Sequence, residues 1–252
     1  MSWRDTLNRE FQGALPGEEV TRRIIKYLTE NEGFTANNTV FGSSTCSDEV
    51  NRGNTSLGAY FGANFAAGGL AGFPHTGKTG FGAFAHHAPD EEGVQHTLEI
   101  YGPHIGISES GELGKVHRPG MKGETTACGS IIAAYRALET AWGEDRVHIP
   151  DIDPHDFQQW TMSVALARYA PRIMNASHGI KEATHVVYEA AKAEVDYILE
   201  RNRTSCHGLV ALVGGIQINT PSGTDDYFLP MRFGIYNMET GEEKNLLHVL
   251  QE

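Results

Sequence analysis

The sequence predicts an α/β protein in which a mixed, mainly parallel central sheet is flanked by helices. Three observations lead there. Leu209-Val210-Ala211-Leu212-Val213 is a continuous apolar run, the signature of a strand buried on both faces. Segments with apolar residues at helical spacing alternate along the chain with short β-prone stretches. The length, 252 residues, suffices for a substantial core in one domain. Residues 1–252 are read as that single domain, with a helical arm over about 1–35.

In chain order, residues 17–30 place Val20, Ile24, Ile25 and Leu28 on one face with charges between them, an amphipathic helix. Asn37-Asn38 signals a turn, and Thr39 to Phe41 is β-prone. That strand runs into Gly42-Ser43-Ser44-Thr45-Cys46-Ser47-Asp48-Glu49-Val50-Asn51-Arg52, where small residues deliver a cysteine, an aspartate and an arginine into a loop. Nine of the thirty residues from 53 to 82 are glycine, which predicts loops with at most short helical pieces such as 57–65. Inside it, Gly72-Phe73-Pro74-His75-Thr76-Gly77-Lys78-Thr79 spells the phosphate-loop pattern. That motif works only between a buried strand and a helix, and Ala66-Ala67-Gly68-Gly69 before it and Gly80-Phe81-Gly82 after it predict neither. Nucleotide binding through Lys78 is therefore set aside.

Residues 95–101 alternate polar with apolar or β-prone side chains and end at Gly102-Pro103-His104, a strand leading into a tight turn. The polar stretch 106–123 reads as a hairpin or excursion. Next, Ile131, Ile132, Tyr135, Leu138 and Trp142 form one helical stripe, with Thr125 or Thr126 as cap and Gly143 as stop. Cys128 then falls in the first turn, where exposed N–H groups and the helix dipole favour a thiolate. Helices over roughly 154–168 and 180–202 supply packing. After the apolar run and Gly214-Gly215, residues 216–220 and 227–236 read as the two arms of a hairpin.

Charge narrows the function. Lys and Arg number 20 against 32 Asp and Glu, a net charge of -12 that disfavours nucleic acid and anionic membrane surfaces. No apolar run reaches the length of a membrane span, and Met1-Ser2-Trp3-Arg4-Asp5 lacks a signal-peptide core, so the expectation is a cytoplasmic protein acting on a small molecule. Three cysteines, Cys46, Cys128 and Cys206, are too few for a disulfide framework and leave core, redox and metal roles open.

Cys46, His104 and Cys128 each stand where a regular element meets a loop. Zinc takes thiolate and imidazole tetrahedrally, and three protein ligands leave a fourth position where water can be acidified. Strand ends and helix starts gather at one edge of a parallel sheet, so three sequence-distant ligands there are plausible neighbours. Alternatives stand beside this reading. The cysteines can be buried hydrophobes, His104 a turn residue, and His86 or His87 the histidine ligand instead.

Several blocks together resemble the limiting-CO2-inducible protein B/C family. They are Cys46-Ser47-Asp48, Thr79-Gly80-Phe81-Gly82-Ala83-Phe84-Ala85-His86-His87, Gly102-Pro103-His104, Ala127-Cys128-Gly129, Gly214-Gly215-Ile216-Gln217-Ile218-Asn219-Thr220-Pro221 and Asp226-Tyr227-Phe228-Leu229-Pro230. The resemblance implies a fold and site like those of β-type carbonic anhydrases, a family also grouped with the θ-type enzymes, and a zinc-dependent homodimer that interconverts CO2 and bicarbonate. Some members are reported inactive, which implies a silent zinc-containing scaffold or bicarbonate-binding partner protein as the alternative. Carried onto this chain, it makes Cys46, His104 and Cys128 the zinc ligands and Asp48 the acidic half of an Asp–Arg dyad. The related pattern puts arginine two residues after the aspartate, where this chain has Val50. Arg52 is the nearest candidate, reaching Asp48 if the loop turns helical, and Arg118 is the substitute. Phe73, Phe81 and Phe84 are expected to wall a narrow pocket, and His86 or His87 to carry protons.

Overall fold

In the computed structural model, which describes residues 2–51, 55–204 and 206–251, the strands are β1 (Leu15–Pro16), β2 (Thr39–Thr45), β3 (Phe65–Ala66), β4 (His96–Gly102), β5 (His104–Gly106), β6 (Lys115–His117), β7 (Glu124–Thr126), β8 (Leu209–Asn219), β9 (Tyr227–Asn237) and β10 (Glu243–Asn245). The main sheet runs β1-β9-β8-β4-β2-β3, with β5 on β8 and β10 on β9. Its centre is parallel: β2 pairs with β3 and β4, and β8 with β4 and then β5. The antiparallel side is built by β9, against β8, β1 and β10. The predicted hairpin is present, but its first arm is one continuous strand from Leu209 to Asn219 with a bulge at Gly214/Gly215. Glycine there interrupts the register without ending the strand.

The helices are α1 (Trp3–Glu10), α2 (Gly17–Asn31), α3 (Thr55–Phe61), α4 (Gly77–His86), α5 (Gly129–Gly143), α6 (Phe157–Arg168), α7 (Ala170–Met174), α8 (Gly179–Asn202) and α9 (His248–Gln251). Strand periodicity sorts them onto two faces. Leu98, Ile100, Ala211 and Val213 point to one side and pack against Val20, Ile24 and Leu28 of α2, Leu57 and Phe61 of α3, and Leu250 of α9. Tyr101, Val210 and Leu212 point to the other and meet Leu7 of α1, Phe81 and Phe84 of α4, and Val195 and Ile198 of α8. A third apolar cluster joins α5, α6, α7 and α8 around Cys46 and Cys128. None of the described helices is long and apolar enough to cross a membrane.

Three local expectations need correcting. The glycine-rich segment does form a helix, α4, inside the phosphate-loop pattern, because Phe81 and Phe84 bury one face and override the low helix propensity of Gly80 and Gly82. Thr125 and Thr126 lie in β7, and Cys128 itself is the cap position of α5, without a side-chain capping bond. Phe81 and Phe84 belong to the core under α4, so of the three phenylalanines only Phe73 packs beside the two cysteines.

Gly102 sets the approach to the site. Its φ of 135° lies in the left-handed region, and a β-carbon there would stand 1.9 Å from the carbonyl oxygen of Gly215. Only glycine fits, so β4 can break at Pro103 and resume as β5, still paired with β8, with His104 turned inward and 1% exposed.

Candidate metal centre

The ligand atoms of Cys46, His104 and Cys128 lie within 4.8 Å of one another, and all three residues are buried. Cys46 follows the end of β2, His104 opens β5 and Cys128 caps α5, so the parallel strand ends and a helix start do converge at one edge. Cys46 Sγ and Cys128 Sγ are 3.7 Å apart. Two thiolates about 2.3 Å from a tetrahedral zinc ion would be about 3.8 Å apart. The spacing fits.

The histidine fits as well. Asn219, at the end of β8, donates its Nδ2 to the Val50 carbonyl (3.3 Å) and to Asp226 Oδ2 (3.3 Å). Its Oδ1 therefore faces His104 Nδ1 at 2.7 Å and can only accept. His104 thus carries its proton on Nδ1 and turns the lone pair of Nε2 toward the cysteines. That Nε2 is buried and has no hydrogen-bond partner. An orphaned lone pair beside two sulfurs is what a soft divalent cation satisfies.

The cysteines share charge unequally. The hydrogen bond from Cys128 holds the Cys46 thiol down at about 4 against the cost of burial. The Ala71 N–H also donates to Cys46 Sγ, at 3.2 Å. Cys128 is pushed up instead, by that same bond to Cys46 and by burial. The helix-start N–H groups of Ile131 and Ser130 do lower it, as expected, but the Cys46 sulfur 3.7 Å away and burial outweigh them.

Asp48 stands beside this group, its Oδ2 3.7 Å from His104 Nε2. The same oxygen accepts from Arg118 at 2.6 Å, and Oδ1 accepts the Val50 N–H at 3.2 Å. Burial opposes ionisation of Asp48, yet the bonds from Arg118 and from the Val50 N–H keep its pKa below the usual carboxylate value. Arg118 spans the site: Nε donates to Glu49 (2.7 Å), and Nη1 to the Thr126 carbonyl (2.9 Å) and the Thr125 hydroxyl. The excursion 106–123 delivers it, because β6 pairs with β7 just before Cys128. Arg52 lies outside the described residues.

His86 and His87 are exposed, and the histidine grouped with the cysteines is His104. The His87 ring packs on Phe65, and Ala88 accepts from Gln95 at the entry to β4, the opposite end of the strands from Cys46. Cys206 is buried in the core under α8. Sequence reasoning gave no role to Asn219 and none to Glu49 as a partner of Arg118. A polar residue closing the apolar strand 209–219, at the edge where the ligands gather, was the available signal for Asn219.

The family model described as limiting CO2-inducible proteins B/C beta carbonic anhydrases matches residues 14–237. Among solved structures, the chain resembles PtLCIB4, a homolog of the limiting CO2-inducible protein LCIB, at 36% identity over 96% of this chain and 98% of that one, with a TM-score of 0.87. It also shares the fold of limiting CO2-inducible protein LCIB, at 21% identity over 95% and 96% of the two chains and a TM-score of 0.74. No curated protein matches it.

Proposed function

Because the chain belongs to the family of limiting CO2-inducible proteins B/C beta carbonic anhydrases, we propose that it is a zinc-dependent carbonic anhydrase interconverting CO2 and bicarbonate. One observation carries the reading: the unpartnered His104 Nε2 faces two sulfurs 3.7 Å apart, with an ionised, arginine-held Asp48 beside them.

Cys46, His104 and Cys128 would hold the zinc. Bound there, it supplies the Lewis acidity that makes water a nucleophile near neutral pH. The chain's own groups do the rest. Asn219 fixes the His104 ring and its tautomer. Asp48 accepts a hydrogen bond from the attacking water and so aims its lone pair at the carbon of CO2. Arg118 keeps Asp48 ionised and fixes its Oδ2; in this reading it, rather than Arg52, completes the dyad. Ala71 and Phe73 present an apolar wall next to the cysteines, suited to a small linear substrate.

Stopped-flow CO2 hydration by fully metallated protein is the test. Zinc-dependent acceleration over buffer is expected. Its absence in protein shown to contain zinc would leave the silent scaffold or bicarbonate-binding partner as the reading. The proposal extends to a cytoplasmic homodimer, as the resemblance implies, and sedimentation as a monomer would remove the dimer.

A further inference from the structure

Hydration of CO2 (CO2 + H2O → HCO3− + H+) releases one proton per turnover, which a buried site has to hand to solvent. Asp48 is tied to Arg118, the three proposed ligands are committed, and His86 and His87 sit at the other end of the strands. His75 is placed differently. It lies in the turn before α4, and its ring rests on the Gly69 backbone: a β-carbon on Gly69 would be 2.8 Å from His75 Cδ2. The carbonyl of Gly69 accepts the N–H of Ser47, the neighbour of Cys46, and Ala71 donates to Cys46 Sγ. One ring therefore touches the loop that backs the site.

The same ring lines a cavity of about 590 Å³ between the 73–77 turn, α6 and α8, which also carries Trp160, Arg168, Glu189 and Glu194. His75 Nε2 is buried without a hydrogen-bond partner. Burial also lowers the pKa of the imidazole, favouring its neutral, proton-accepting form.

We propose that His75 is the proton-transfer residue of this site. Its Nε2 accepts the proton released on hydration and yields it to solvent water or a buffer base entering the cavity; in the dehydration direction the N–H returns it. Only that N–H bond forms and breaks at His75. The assignment rests on the carbonic anhydrase reading.

The test uses metallated full-length protein in dilute buffer, with His75→Ala and, as a shape-preserving second variant, His75→Gln. Both are expected to lose about tenfold or more in kcat while kcat/KM stays within about twofold, and added imidazole restores kcat in His75→Ala. An unchanged kcat, or a parallel fall in kcat and kcat/KM that imidazole does not restore, overturns the assignment and leaves the enzyme reading intact. A parent protein that binds zinc without accelerating hydration overturns both.

Discussion

Arg232 on β9 and His104 on β5 are buried polar side chains on the two strands that flank the C-terminal half of β8, 7% and 1% exposed, and they are treated in opposite ways. Every nitrogen of Arg232 has a partner: Glu243 on Nε and Nη2 (2.8 and 2.6 Å), Asp196 and Tyr101 on Nη1 (2.7 and 3.1 Å). His104 is satisfied on Nδ1 and left bare on Nε2. A closed network pins β9 to β10 and α8. An open one reserves an atom for a ligand. Burial alone does not separate structure from function; the unfilled valence does.

That contrast can be broken by substitution. The largest effect is expected at the open cluster: His104→Ala or Cys128→Ala should lose bound metal, measured by elemental analysis, and with it at least about a thousandfold of any zinc-dependent rate. Full metal content in His104→Ala would dissolve the distinction. Arg232→Ala should do the reverse, keeping zinc stoichiometry while lowering unfolding free energy by about 3–5 kcal/mol in a denaturant titration, since it strands Glu243 and Asp196. A variant as stable as the parent would mean the closed network holds nothing together.

Glu99 sharpens the comparison, being buried with a bond from Ser44 (2.8 Å) and raised from 4.5 to about 7 by burial. Between those values the folded state keeps a proton that the unfolded chain has released, so stability falls as pH rises through the window. Glu99→Gln removes that penalty. Its thermal or chemical stability should match the parent near pH 4.5 and exceed it by roughly 3 kcal/mol well above pH 7; a pH-independent difference would reject the account. The smallest effect belongs to Asp48→Asn, which should retain zinc and lose about 10–100-fold in rate. Unchanged turnover would deny Asp48 its part.

Much of this was readable in the chain. The apolar run 209–213, the stripe Val20, Ile24 and Leu28, and the alternation over 95–101 announced the sheet and its cover, because burial on two faces or one imposes a period. The three proposed ligands were readable as residues at element ends. The arginine was not, because spacing along a loop says nothing about a side chain arriving from a segment 70 residues away. Helix α4 was hidden by its glycines, since propensity is local and the packing of Phe81 and Phe84 is not. The coupling of Cys128 to Cys46 was hidden for the same reason, because the two lie 82 positions apart.

That separation reaches into how the protein comes into being. The Cys46–Cys128 pair closes a loop of 82 residues, and Asp48–Arg118 one of 70, so neither exists until the parallel strands have registered. The expanded chain offers a cation no such pocket. Zinc would then bind after assembly and favour the native state by mass action, raising the melting temperature with metal concentration while leaving the rate of refolding almost untouched.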